Sequence, residues 1–119
     1  MKTSQILIAL VITVLFIGCK PESLFFWGNY SKTLYSYKKD PNDKTLAEHK
    51  KSLNEIISQS TLKRKRIPPG VYAELGYILL KEGKEQEGME CMNKEITLFP
   101  ESQIFIEKLR AEFQKGESK

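Results

Sequence analysis

Residues 6 to 17 read ILIALVITVLFI, an unbroken run of 12 apolar or small positions behind Met1 and Lys2, whereas the remainder of the chain mixes apolar and polar positions at helical spacing. As a helix the run would rise about 18 Å at ~1.5 Å per residue, short of the ~30 Å hydrocarbon core of a bilayer. It is expected to be the core of a signal peptide spanning 1–18. Downstream, Trp27, Tyr30, Leu34 and Tyr37 recur at spacings of 3, 4 and 3. They predict a helix over about 29–39, stopped by Asp40-Pro41-Asn42-Asp43. Asp43 is expected to cap a second helix reaching about Ser60, with Leu46, Leu53, Ile56 and Ile57 on its apolar stripe. Val71, Leu75, Ile78 and Leu79 predict a third helix ending at Gly83. Met89, Met92, Ile96 and Phe99 predict a fourth ending at Pro100.

Composition narrows the function. The 119 residues carry 19 Lys+Arg against 15 Asp+Glu, a net charge of +4, with 40% hydrophobic and 29% charged residues, enough for one small domain. Two cysteines, one histidine and seven glycines leave little room for a metal centre, a disulfide scaffold or a Gly-rich nucleotide site. His49, one turn after Leu46, has no second His or Cys near it in sequence and is expected to be a partly exposed helix residue. Glu74, Glu82 and Glu85 fall on helical surfaces with no sign of a paired acid and base. No catalytic residue, metal ligand, cofactor or small-molecule substrate is assigned, and a peptidoglycan-acting enzyme is the least favoured reading.

Leu15-Phe16-Ile17-Gly18-Cys19-Lys20 resembles a bacterial lipobox. The chemistry needs a small residue, Gly18, at the scissile bond and a thiol, Cys19, to carry the diacylglycerol. Phe16 departs from the aliphatic residue usual three positions before the cysteine. The alternative is a short anchor with an incidental cysteine, which the length of the run and the placement of Cys19 disfavour. Cleavage would leave 101 residues, Cys19 to Lys119, with residues 19–28 as a lipidated tether. At about 0.8 kcal/mol per buried methylene, two or three acyl chains, such as palmitate with diacylglycerol, anchor a protein durably. The only non-protein group expected is therefore this covalent lipid. By the sorting rule of enteric lipoproteins, Lys20 after the cysteine permits export to the outer membrane, so the domain is expected in the cell envelope, facing the periplasm. With Cys19 acylated, Cys91 has no internal partner. It is expected to be a buried or half-buried thiol, with an intermolecular bridge as the lesser alternative.

Six aromatic residues fall between Phe25 and Tyr37. Packing is the first reading of such a stripe. Phe25, Phe26 and Trp27, close to the lipid, are alternatively an interfacial anchor, and Trp27 and Tyr30 are candidate partner-binding residues. Lys63, Arg64, Lys65 and Arg66 suit a helix carboxyl end, where each cation contributes about 0.3–1 kcal/mol. Otherwise they are a contact for anionic lipid headgroups or an acidic protein. Nucleic acid is a poor partner for an exported chain.

Tyr72, Leu75, Gly76, Leu79, Gly88 and Pro100 resemble one tetratricopeptide repeat: Gly76 and Gly88 would let two helices approach closely, and Pro100 closes the repeat. Met92 and Glu95 depart from the usual aromatic and small residues. One repeat length of 34 further on, Ile106, Leu109 and Phe113 occupy the same slots, which predicts a closing helix over 102–115 with Ser102 as cap and a tail at 116–119. Counting back fails, since Tyr30 lies 42 residues before Tyr72. The expected fold is all-α, about five helices in tetratricopeptide-like hairpins over 29–115, with the first, second and fifth helices acting as caps. Repeat positions that line the concave groove are Ala73, Tyr77, Leu80 and Lys81, and of these Tyr77, Leu80 and Lys81 are the candidate partner contacts.

Gly18-Cys19, Phe25 to Tyr30, Leu34-Tyr35, Tyr37, Pro41 and Pro68 to Tyr77 together resemble a family of small bacterial lipoproteins known only as a domain of unknown function. The resemblance implies a gene neighbourhood shared with lipoproteins related to the curli secretion channel, and hence a common envelope assembly. The function expected is a lipid-anchored adaptor that binds other envelope proteins, with a purely structural envelope lipoprotein as the alternative.

Overall fold

In a computed structural model, residues 1–3, 5 and 22–117 are described. Gly18, Cys19 and Lys20 lie outside them. From Glu22 onward the described chain is all-α: α1 (Tyr30–Lys39), α2 (Asp43–Leu62), α3 (Val71–Lys81), α4 (Glu85–Leu98), a 3-10 turn (Pro100–Ser102) and α5 (Gln103–Glu117). The five expected helices are all present, within one to three residues of their expected bounds.

Local chemistry explains most boundaries. Asn42, not Asp43, caps α2: its carboxamide oxygen accepts from the Thr45 amide at 3.0 Å, and the Thr45 hydroxyl accepts from the Asn42 amide at 3.1 Å. This reciprocal pair satisfies two amides that an N-terminus leaves open. Asp43 stands instead in the first helical turn, where its charge suits the helix dipole. Gly83, at φ +77, turns the chain out of α3. Ser102 does not cap α5. It sits in the 3-10 turn and donates its hydroxyl to the Phe99 carbonyl at 2.7 Å.

The helix α3 is buried on two sides. Toward α1 and α2, Val71, Leu75, Ile78 and Leu79 join Leu53 and Ile56 in one core cluster, with Phe26, Tyr30 and Leu46 against it. Toward α4 and α5, Ala73 and Leu80 join Met92 and Ile106 in another, flanked by Leu109 and Phe113. The α3–α4 crossing is close because neither glycine has a side chain there: a Cβ on Gly76 would stand 2.8 Å from the Gly88 carbonyl oxygen, and the reverse distance is also 2.8 Å. Such contact is available only to glycine.

Glu95, at a position expected to suit a small residue, is 2% exposed. Its carboxylate accepts from the amides of Gly70 at 2.6 Å and Ala73 at 3.3 Å. The N-cap of α3 is Gly70, which has no side chain to do this. A carboxylate from α4 therefore closes the open end of α3, where negative charge is favoured.

The expected tether is fixed to the body from Glu22 on. The backbone of Phe25 pairs with that of Arg66 in an isolated parallel bridge. Lys65 Nζ donates to the Ser23 carbonyl at 2.8 Å and lies 3.8 Å from the Glu22 carboxylate. Lys63 Nζ stands 4.2 Å above the centre of the Phe26 ring. Among the described residues, no helix is long and apolar enough to cross a membrane.

Candidate functional site

The face shared by α1, α3 and α5 carries two grooves that meet at Tyr77 and Lys81. One, of about 320 Å³, is lined by Leu34 and Tyr37 of α1, His49 of α2, and Glu74, Tyr77 and Lys81 of α3. The other, of about 360 Å³, runs from Tyr77 and Lys81 to Glu112 and Phe113 of α5. Tyr77 is 38% exposed, and Lys81 Nζ lies 5.8 Å from its ring centre. The helical period produces this arrangement: Val71, Leu75 and Ile78 turn toward one core and Ala73 and Leu80 toward the other, which leaves Tyr77 and Lys81, four apart, on the ridge between.

The wall of the first groove is a polar network. His49 is 1% exposed. Its Nε2 lies 2.9 Å from Glu74 Oε1, and its Nδ1 lies 2.9 Å from the Thr33 hydroxyl. The Tyr30 hydroxyl donates to the second Glu74 oxygen at 2.9 Å. With Nε2–H donating to Glu74, Nδ1 accepts from Thr33, and every nitrogen of the buried ring is satisfied. Aromatic rings hold the imidazole on two sides, Tyr37 parallel to it at 6.4 Å and Tyr30 tilted at 5.4 Å. The Tyr30 phenol is pushed up to about 12, first by burial, then by its bond to Glu74 and by the charge of that carboxylate. Lys50 of α2 donates to both oxygens of Glu82, and this bond, with a smaller effect from Lys84, holds the Glu82 carboxyl below its usual range.

These contacts correct two expectations. His49 is not partly exposed, and Glu74 is not simply a surface residue, because it joins α3 to both α1 and α2. A signal for both was present. His49 falls three after Leu46 and four before Leu53, and Glu74 falls three after Val71 and four before Ile78, so each lies on its helix's apolar stripe. Polar residues on such a stripe need partners.

The candidate contacts are dispersed. Tyr77 and Lys81 are together on the ridge. Leu80 is 2% exposed and Ala73 5%; both are core residues, although Leu80 forms part of the floor of the second groove. Tyr30 is committed to Glu74. Trp27, 41% exposed, stands apart, its ring 5.2 Å from that of Tyr30 and 6.3 Å from that of Phe25. Of the basic run, Lys63 and Lys65 clasp the amino-terminal segment, while Arg64 and Arg66 are exposed. Cys91 is half-buried and free, and burial pushes its thiol up, with Glu90 and Glu87 adding to this and Lys94 opposing it. No cluster of three or more His, Cys, Asp or Glu that would hold a metal occurs among the described residues.

In a comparison with known families, the model of a domain of unknown function, DUF4810, matches residues 24–109. The chain belongs to that family. Neither a curated protein nor a solved structure matches it. The matched span opens next to Phe25, in the segment clasped by the basic run, and closes at Leu109 in α5. It therefore takes in both hairpins and most of the two-groove face.

Proposed function

We propose that this member of the DUF4810 family is a lipid-anchored envelope adaptor, which holds a segment of another envelope protein across the face of α1, α3 and α5. The observation that carries the reading is the meeting of two grooves at Tyr77 and Lys81. An exposed tyrosine ring flanked by concave walls has the character of a protein-binding hot spot. The His49–Glu74–Tyr30 network supports the same reading, since it makes the wall of the first groove rigid before a partner arrives. The tetratricopeptide-like pairing of α1 with α2 and α3 with α4, closed by α5, offers the first helix of each unit to one face, as helical-repeat adaptors do.

Attachment through Cys19, location at the outer membrane and participation in a curli-secretion-like lipoprotein assembly rest on the lipobox and the family resemblance. The experiment is affinity purification of the chain from detergent-solubilised envelopes, with Tyr77→Ala, Lys81→Glu and Cys19→Ser variants beside it. A stoichiometric lipoprotein partner, lost with Tyr77→Ala and weakened with Cys19→Ser, supports the adaptor. A partner indifferent to Tyr77 and Lys81 sinks the groove, and a bait without partners favours a purely structural envelope lipoprotein.

A further inference from the structure

At the end of the molecule where residues 22–27 meet residues 62–66, Phe26 packs against the first core cluster, and the other side chains serve neither core cluster nor either groove. Three large apolar side chains are exposed there: Leu24 at 58%, Leu62 at 76% and Trp27 at 41%. Leu62 ends α2 and adjoins the basic run, and Leu24 adjoins Phe25, whose backbone pairs with Arg66. Arg64, at φ +51, turns the chain sharply after the helix. The side chains of Arg64 and Arg66 make no bond to any described residue, and both are exposed. Lys63 and Lys65 instead bind the amino-terminal segment, so apolar and cationic residues from positions some 40 apart are held in one place.

We propose that this end is a docking surface for an anionic lipid bilayer. Exposed Leu and Trp beside unpaired guanidinium groups match the interface, where the indole and aliphatic side chains leave water and each cation near the surface gains about 1 kcal/mol. Chain continuity favours the same occupant. The described fold begins at Glu22, and the 12-residue apolar run ends at Ile17, so only four residues separate that run from this end. Four extended residues reach at most about 14 Å. Any membrane attachment through the run or through Cys19 therefore keeps this end close to the headgroups. The inference rests on the membrane attachment in the adaptor reading and adds an orientation: the lipid-facing end is built around Phe25 and Arg66, with the Tyr77 ridge elsewhere on the helices.

Trp27 is the only tryptophan in the chain and reports directly on the contact. The full chain is reconstituted into vesicles of phosphatidylcholine alone and of phosphatidylcholine with phosphatidylglycerol, each with and without brominated acyl chains, and vesicle flotation is scored beside Trp27 quenching. Equal flotation in both lipids, with quenching at least twofold stronger in the anionic vesicles and reduced to the neutral level by Arg64→Asn with Arg66→Gln, is the expected result. These substitutions leave the Lys63 and Lys65 contacts in place, and asparagine tolerates the left-handed backbone at position 64. Flotation with quenching that is absent, or equal in the two lipids, overturns the docking surface and spares the attachment. Failure to float overturns both. Concentration-dependent shielding of Trp27 without lipid quenching assigns the surface to a second copy of the chain and overturns the proposal.

Discussion

Glu74 and His49 are 25 residues apart in sequence and 2.9 Å apart in space, and their contact joins three helices, because the other Glu74 oxygen accepts from Tyr30. Glu74→Ala would leave a buried imidazole nitrogen and a phenol without a partner. At about 1–3 kcal/mol for each stranded buried group, discounted for the partial exposure of Glu74, a loss of about 2–3 kcal/mol is expected in urea unfolding. Tyr30→Phe, which removes one donor and strands no charge, is expected to cost about 1 kcal/mol. Equal midpoints for Glu74→Ala and the parent chain would show that the network contributes nothing to stability.

The same network fixes a pH dependence. Tyr30 titrates at about 12 in the folded protein against 10 for an unperturbed phenol. A group whose folded pKa is raised contributes stability that is complete below its unfolded pKa and is lost as pH rises through the folded value. This contribution is therefore full below pH 10 and disappears between about pH 10 and pH 12. An ultraviolet titration should show a late-ionising tyrosine in the folded chain, and Glu74→Gln, which removes the carboxylate charge, should bring it forward.

Gly76 and Gly88 predict a sharp steric limit. Even Gly76→Ala places a Cβ 2.8 Å from a backbone oxygen and 3.0 Å from Met92 Cγ, so α3 and α4 must separate. The expected cost is about 1–3 kcal/mol, with a lower melting temperature. Gly83→Ala, where no atom lies within 4 Å, would be strained only by its positive φ. If Gly76→Ala melted with the parent chain, the close crossing would be wrong.

Glu95→Gln tests the cap that α4 provides to α3. The neutral amide keeps one acceptor oxygen, but its NH2 group faces an amide donor, and the attraction of charge to the helix end is gone. A loss of about 1–3 kcal/mol in denaturant unfolding is expected, and Glu95→Ala should lose more. Stability unchanged in both variants would show that water replaces the carboxylate.

Cys91 should be a slow thiol. Its pKa lies above the usual thiol value, chiefly through burial, and the thiolate is the reacting form. In a Cys19→Ser chain, alkylation at mildly alkaline pH should be several-fold slower in the folded protein than in urea. Equal rates would place Cys91 at the surface and reopen an intermolecular bridge.

Much of this fold was legible in short-range pattern. The closing helix was read from the repeat length of 34, while the stripes of α2 to α4 and the breaks at Pro41, Gly83 and Pro100 depend on residues within a turn or two of each other. Backbone geometry and helical period act at that range. The two glycines of the crossing were legible through the repeat resemblance, which places small residues where its two helices meet.

The polar contacts were not legible, and neither were the two grooves as a pair. Glu95 accepts from the Gly70 amide 25 residues earlier, Lys65 holds the Ser23 carbonyl 42 residues away, and Glu74 reaches Tyr30 across 44. Local spacing places His49 and Glu74 on apolar stripes and so marks them as needing partners, but it does not say which distant segment supplies those partners. By itself, the sequence determined that five amphipathic helices form, where each stops, and where two of them cross closely. Only the tertiary structure decided which polar side chains fill the openings between them, since a buried donor must be matched by whatever acceptor the packing of distant segments brings within about 3 Å.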